Sequence, residues 1–223
     1  MRHDRLSVLN ALERQGVAPV FYHSDPEVCL NVIRASARGG APVVEFTNRG
    51  DFAVDLFGEI ARELQKTNPE VVLGIGSVVD AGTAALYLNR GARFVVSPCL
   101  VPEVARVCNR RMTAYFPGCG SVTEISEAHE LGCEIVKLFP GSSVGGPDFV
   151  KAVMGPMPWT KIMPTGGVDP DEASIATWFG SGIIACGMGS KLVTEAALKA
   201  GDWSAIEAQV RKTVEAIQAF RGR

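Results

Sequence analysis

Charge of one sign, histidine, aromatic residues and long apolar runs are all scarce in this chain, and each scarcity excludes something. Lysine and arginine total 22 against 24 acidic residues, for a net charge of −2. The basic residues are scattered, so the electrostatic footprint of a nucleic-acid binder is missing. Aromatic residues make up only 7%, with no interleaved basic–aromatic stretch on which bases could stack. There are three histidines, His3, His23 and His129. Only His23 is expected at a loop where chemistry could occur, as a loop or substrate-contact residue. With His3 and His129 in helical segments, no histidine–carboxylate cluster for a metal is foreseen, and a metal-free, cofactor-free mechanism follows. Six cysteines (Cys29, Cys99, Cys108, Cys119, Cys133, Cys186) lack CxxC spacing. They are expected to be reduced core or near-core residues. The first sixteen residues are charged and helix-patterned, without an apolar run or small-residue cleavage site. Neither a signal peptide nor a membrane anchor is expected there, and the expectation is a cytoplasmic protein.

What is present is a regular alternation. At 223 residues and 47% hydrophobic content, the chain can bury one large core, and residues 1–223 are expected to form a single domain. Short apolar runs recur at Ala18–Tyr22, Pro42–Asn48, Val71–Ser77, Ala92–Pro98, Thr113–Cys119, Cys133–Pro140, Thr160–Gly167 and Gly182–Ser190. Their spacing fits one strand plus one crossover helix. Helix starts are marked by Ser24-Asp-Pro-Glu27 and Ser121-Val-Thr-Glu124 as capping boxes. Asp169-Pro-Asp-Glu172 places a cap before a proline. Gly39-Gly40, Gly91 and Gly132 mark helix stops. Eight strand–helix units predict a (β/α)₈ TIM barrel. An extra N-terminal helix is expected near Arg5–Gln15, within residues 1–17, and a C-terminal one over Trp203–Phe220, within residues 203–223. The competing open doubly wound sheet lacks a GxGxxG after its first strand.

Lys137 stands out against this background, because it interrupts the β-branched run Cys133–Pro140. A buried ammonium is costly unless paired or deprotonated, and a neutral lysine amine is a nucleophile for ketones. In such a barrel the chemistry lies at the C-terminal strand ends. The two-residue strand period puts Glu45, Thr47 and Arg49 on one face of the second strand, and Lys137 with Phe139 on one face of the sixth. A retro-aldol cleavage of a 2-keto acid uses these groups. The amine condenses with the ketone, the carboxylate shuttles protons, and the arginine holds the substrate carboxylate. An internal Glu45–Arg49 or Glu45–Lys137 ion pair is the plainer alternative. Pro164-Thr-Gly-Gly167 and Gly187-Met-Gly-Ser190, at the ends of the last two strands, suit phosphate binding through backbone amides, or are simply tight turns. Gly74-Ile-Gly-Ser77 offers a hydroxyl and a close backbone to the mouth. Ser97-Pro98 and Pro117-Gly118 shape the ends of the fourth and fifth strands, and Phe139 offers an apolar wall.

With those residues in place, the chain resembles the KDPG/KHG aldolases, class I lyases acting on 2-keto-3-deoxy-6-phosphogluconate or 4-hydroxy-2-oxoglutarate. The resemblance runs from about Pro19 to about Val193 and is carried by Val43-Val-Glu-Phe-Thr-Asn-Arg49, Phe94-Val-Val-Ser-Pro98, Val136-Lys-Leu-Phe-Pro140 and Pro164-Thr-Gly-Gly167. It implies Lys137 as Schiff-base lysine and Glu45 as general acid/base. Arg49 would bind the substrate carboxylate, with Thr47, Ser77, Pro98 and Phe139 lining the substrate. Thr165, Gly166, Gly167, Gly189 and Ser190 would hold the phosphate end. It implies pyruvate and an aldehyde as products, a small-molecule keto acid or sugar phosphate as the partner, and a homotrimer. Four places depart from the family pattern: Ile75 and Ser77 in the third-strand glycine motif, Gly141 after Pro140, Asn48 before Arg49, and the polar Tyr22-His23-Ser24. Another phosphate-binding barrel enzyme, an isomerase or decarboxylase, and a non-catalytic sugar-phosphate binder remain as alternatives.

Overall fold

A computed structural model describes residues 4–222; His3, expected in a helical segment, lies outside them. Nine strands are seen: β1 Val17–Phe21, β2 Val43–Thr47, β3 Val72–Gly76, β4 Phe94–Val96, β5 Ala114–Phe116, β6 Gly118–Cys119, β7 Ile135–Leu138, β8 Lys161–Pro164 and β9 Cys186–Met188. The helices are α1 Arg5–Gln15, α2 Pro26–Arg38, α3 Ala53–Thr67, α4 Ala81–Asn89, α5 Pro102–Arg110, α6 Val122–Glu130, α7 Gly146–Met154, α8 Glu172–Phe179, α9 Glu195–Ala200 and α10 Trp203–Arg221.

All pairings are parallel, and strands pair in chain order within a six-stranded sheet (β5-β4-β3-β2-β1-β9) and a three-stranded one (β6-β7-β8). The last strand pairs with the first, as Val17 partners Cys186, an arrangement that curls the sheet and leaves no switch point of the doubly wound kind. The expected fifth strand, Thr113–Cys119, is in fact two. Pro117 has no N–H to donate, so β5 pairs with β4, β6 pairs with β7, and the Pro117 carbonyl accepts from the Lys137 amide at 2.9 Å. At the other seam a single bridge, Thr165 to Gly187, joins the end of β8 to β9.

Two apolar layers hold this arrangement. Alternate strand residues pack outward against the helices: Val44 and Phe46 of β2, Leu73 and Ile75 of β3, Val136 and Leu138 of β7. The others point inward and form a separate cluster, with Ala18, Val43, Val72, Phe94, Ala114, Ile135 and Met163 around Val8, Leu9 and Leu12 of α1. Helix α1 therefore seals the end where the strands begin. Its buried Gln15 takes over strand hydrogen bonding there: the side-chain amide donates to the Val17 and Val43 carbonyls, and its oxygen accepts from the Val43 amide at 2.9 Å. Arg5 pairs with Glu134 at 2.8 Å, tying the start of α1 to the foot of β7. With one end sealed, the inner face is open to chemistry only where the strands finish.

Two helix caps differ from expectation. Asp25, not Ser24, caps α2, accepting from the amides of Glu27 and Val28 with Pro26 next in line. Asp171, not Asp169, caps α8, accepting from Ser174 at 2.9 Å. In both cases the aspartate whose carboxylate reaches the second or third amide wins the position. Ser121 caps α6 as expected, with Glu124 folded back onto Ser121 and Gly120. Five cysteines are buried and Cys99 is exposed; burial pushes the Cys29, Cys108, Cys119, Cys133 and Cys186 thiols up to about 12.

Candidate active site

The same alternation that fills the interior with Val43 and Ile135 places Glu45 and Lys137 two residues further up, on the inner face above the apolar cluster. Both are buried, Glu45 to 2% exposure and Lys137 to 6%. No ion pair or hydrogen bond joins them among the described residues, so the plainer alternative of a core ion pair is not what the side chains make. They do sense each other. Burial raises the Glu45 carboxyl above the ordinary carboxylate range, and the charges of Lys137 and then Arg49 pull it back only in part. The Lys137 ammonium nitrogen lies 4.9 Å from the centroid of the Phe139 ring, a cation–π contact that holds the amine toward the strand ends.

Glu45 stands where it does because β3 has no side chain to obstruct it. A Cβ on Gly76 would overlap the Glu45 carboxylate, and one on Gly74 would overlap the Phe94 ring that fills the layer beneath. Sequence reasoning named Gly76 only within Gly74-Ile-Gly-Ser77, as a close backbone at the mouth; that it makes room for Glu45 was not foreseen. Gly76→Ala should therefore displace Glu45 without touching any reacting group. The expected result is a fall in kcat of about 100-fold or more, the lower range for losing a general acid/base, with circular dichroism and oligomeric state unchanged. Near wild-type kcat would show that the glycine is not needed for the carboxylate's position.

The remaining residues fall into place around this pair. The Thr47 hydroxyl donates to the Phe21 carbonyl at 3.3 Å, locking the end of β2 to β1. Arg49 follows on the same side and is exposed; among the described residues no hydrogen bond or ion pair holds its guanidinium, although its charge reaches Glu45. Asn48 points the other way, accepting from the Tyr87 hydroxyl at 2.8 Å, so this departure from the family pattern belongs to the strand–helix layer and not to the mouth. His23 accepts through Nδ1 from the Asp25 amide at 3.0 Å and is a loop residue. Ser77 has a φ of 62°, a left-handed conformation uncommon for a residue with a Cβ. Pro98 lies over β6, where Gly118 leaves room for the Pro98 carbonyl.

At the far seam the loops after β7 and β8 are stitched together, with Gly141 donating to the Thr165 carbonyl at 2.9 Å and Ser142 to that of Gly166 at 3.2 Å. Gly167 lacks the Cβ that would strike Ser142. The loop after β7 was not expected at this place, since only Gly141 had been noted. The Thr165 hydroxyl does not lie on the outside of its loop. By the parity of Met163 it faces inward, opposite Gly187, where it is buried without a partner. A buried hydroxyl left unpaired costs about 1–3 kcal/mol. Gly189 accepts from the amides of Leu192 and Val193, forming a tight turn that carries Ser190. No group of three or more His, Cys, Asp or Glu side chains suited to a metal comes together among the described residues. No helix of the described residues is long and apolar enough to cross a membrane.

Comparison with known proteins agrees with this geometry. The KHG/KDPG aldolase of Escherichia coli K12 is 30% identical over 96% of this chain and 98% of its own length. The 2-dehydro-3-deoxy-phosphogluconate aldolase of Treponema pallidum is 32% identical over 95% and 98%. The crystal structure of the Legionella pneumophila KDPG aldolase, in which pyruvate was captured at low pH as a covalent carbinolamine intermediate, superposes with a TM-score of 0.81 at 29% identity, covering 90% of this chain and 95% of that one. The family described as KDPG and KHG aldolase matches residues 8–209, and the chain belongs to it.

Proposed function

We propose that the protein is a class I aldolase that cleaves a 2-keto-3-deoxy sugar acid, 2-keto-3-deoxy-6-phosphogluconate or the shorter 4-hydroxy-2-oxoglutarate, to pyruvate and an aldehyde. The aldehyde is glyceraldehyde 3-phosphate from the first acid and glyoxylate from the second. The observation that carries this reading is a buried lysine and a buried glutamate on the same inner face, within reach of each other's charge but, among the described residues, joined by no ion pair or hydrogen bond. A structural charge pair would bring the two into contact; a nucleophile and its proton shuttle do not need that contact.

The chemistry follows from the groups. The Lys137 nitrogen attacks the C2 ketone and forms a carbinolamine. Glu45 delivers the proton that lets water leave, giving an iminium. With that electron sink in place, Glu45 or a water it holds takes the C4 hydroxyl proton. The C3–C4 bond breaks, its electrons moving into the iminium to form an enamine while the aldehyde departs. Protonation at C3 and hydrolysis return Lys137 and release pyruvate. Arg49 binds the substrate carboxylate in bidentate fashion. Thr47, Ser77, Pro98 and Phe139 line the stem. The inward hydroxyl of Thr165 faces the reacting end, and the amides of Gly166, Gly167, Gly189 and Ser190 hold a distal phosphate. No metal or organic cofactor takes part. The wider assembly we propose is a single-domain (β/α)₈ barrel over residues 1–223, sealed by the N-terminal helix, acting as a cytoplasmic homotrimer.

Pyruvate release from a panel of 2-keto-3-deoxy-6-phosphogluconate, its galactonate epimer, 4-hydroxy-2-oxoglutarate and the unphosphorylated acids tests the reading; release from none of them overturns it. Arg49→Gln sharpens the test. Loss of a charge-assisted, bidentate contact should lower kcat/KM about 10–100-fold through KM. Removing a cation beside Glu45 also disfavours its carboxylate form, so the raised carboxyl rises further. The acid limb of the pH–rate profile should then move to higher pH. A limb that stays in place would show that Arg49 does not act on Glu45.

A further inference from the structure

Lys191 sits between the two glycine loops without belonging to either set of residues placed above. It directly follows Ser190, and its ammonium meets the Asp169 carboxylate at 3.1 Å. Asp169 lies two residues beyond Gly167. Because Asp171 caps α8, the Asp169 carboxylate is free of that duty and turns to Lys191, while its backbone amide donates to the Ser174 hydroxyl at 3.0 Å. The ion pair thus bridges the loop after β8 to the loop after β9. Its charges are unusual for a phosphate site. The stretch from Thr165 through Asp171 holds two aspartates and no base, and between Gly189 and Thr194 the only charge is Lys191. Without that lysine, the loops would present net negative charge to an anion.

We propose that Lys191 is the specificity-determining cation for the distal phosphate of the substrate, held in readiness by Asp169 and surrendered to the phosphate on binding. The inference rests on the aldolase reading and deepens it by naming a phosphorylated acid as the favoured substrate class. The pair is half exposed, 65% for the lysine side chain and 47% for the aspartate, and pairs in such surroundings are weak. A phosphate monoester carries about −1.5 to −2 charge at pH 7 and three strong acceptor oxygens, so it outcompetes a single exposed carboxylate for the ammonium. Backbone amides of the glycine turns supply geometry; Lys191 supplies the charge that distinguishes a phosphate end from a hydroxyl end.

The test compares 2-keto-3-deoxy-6-phosphogluconate with unphosphorylated 2-keto-3-deoxygluconate, which differ only at that end, in the wild type, Lys191→Gln and Asp169→Asn. Inorganic phosphate is titrated calorimetrically into each in parallel. Lys191→Gln should lower kcat/KM for the phosphorylated acid about 10–100-fold through KM, change the unphosphorylated acid less than about threefold, and weaken phosphate binding. Asp169→Asn should leave the phosphorylated acid unchanged or improve it, because the lysine loses a competitor and the site loses a like charge. A pair that merely clips the loops would behave otherwise, with both variants lowering both acids together. That result, or an unchanged preference ratio in Lys191→Gln, overturns the proposal. If the wild type releases pyruvate from neither acid, nor from the galactonate epimer or 4-hydroxy-2-oxoglutarate, the aldolase reading fails by itself. The titration then still decides Lys191: phosphate binding lost in Lys191→Gln upholds its role, and binding retained refutes it.

Discussion

Sodium borohydride added in the presence of pyruvate should inactivate the protein and leave a reduced pyruvate adduct on Lys137, and Lys137→Ala should abolish both the adduct and the activity. The expected loss in kcat is about 10⁴-fold or more, the scale on which removal of a covalent nucleophile acts. The position of the lysine makes this more than a generic expectation. Lys137 is 6% exposed, its backbone amide is fixed to the Pro117 carbonyl at 2.9 Å, and its side chain is directed along the Phe139 ring. Among the described residues, the other strand lysine of inward parity, Lys161, stands at the sealed end and pairs with Glu13 of α1 at 2.6 Å. Lys137→Met, which keeps an unbranched apolar chain, separates chemistry from folding. It should be as inactive as the alanine variant while melting close to the wild type, since no ion pair is broken. A phosphate-ester isomerase or decarboxylase that used Lys137 only as a charge would survive borohydride. Adduct formation that persisted in Lys137→Ala would place the nucleophile elsewhere.

The parts of this site that were legible in sequence are those governed by local periodicity. A strand exposes every second residue to one side, so Glu45, Thr47 and Arg49 could be grouped before any coordinates, as could Lys137 and Phe139. The same rule puts Asn48 on the opposite face, where it meets Tyr87; its apparent departure from the family pattern is a packing matter between residues 39 positions apart. What was not legible depends on contacts far apart in the chain. Gly76 matters because of the side chain of Glu45 on a neighbouring strand. Gln15 completes the hydrogen bonding of β2 from 28 residues away. The fifth strand divides at Pro117 because its two halves face different partners, which a single-strand pattern does not reveal. The exchange of Asp169 for Asp171 as the α8 cap was a choice between two acids on either side of Pro170, and it set free the carboxylate that engages Lys191.

In the proposed mechanism proton traffic depends on Glu45, so Glu45→Gln should lower kcat by about 10²–10⁴-fold, the usual contribution of a positioned general acid/base. Glutamine preserves the shape that fills the space above Gly76, so packing survives and the loss is chemical. KM should move little, because Arg49 and the glycine loops proposed to bind the substrate are untouched. The pH dependence gives the second signature. An essential carboxylate held above the ordinary carboxylate range by burial produces an acid limb in which the rate falls as pH drops through that raised value. In Glu45→Gln this limb should vanish from the residual activity. Borohydride trapping should still succeed, only slowly, because the Lys137 amine remains while the group that helps water leave is gone. A variant that trapped pyruvate at the wild-type rate, or retained kcat within tenfold, would assign the proton transfers to solvent. Lys137 would then act without an acid/base at its side. That outcome and the loss in Gly76→Ala cannot both occur if the glycine acts only through this carboxylate, so the two variants test one assignment from opposite directions.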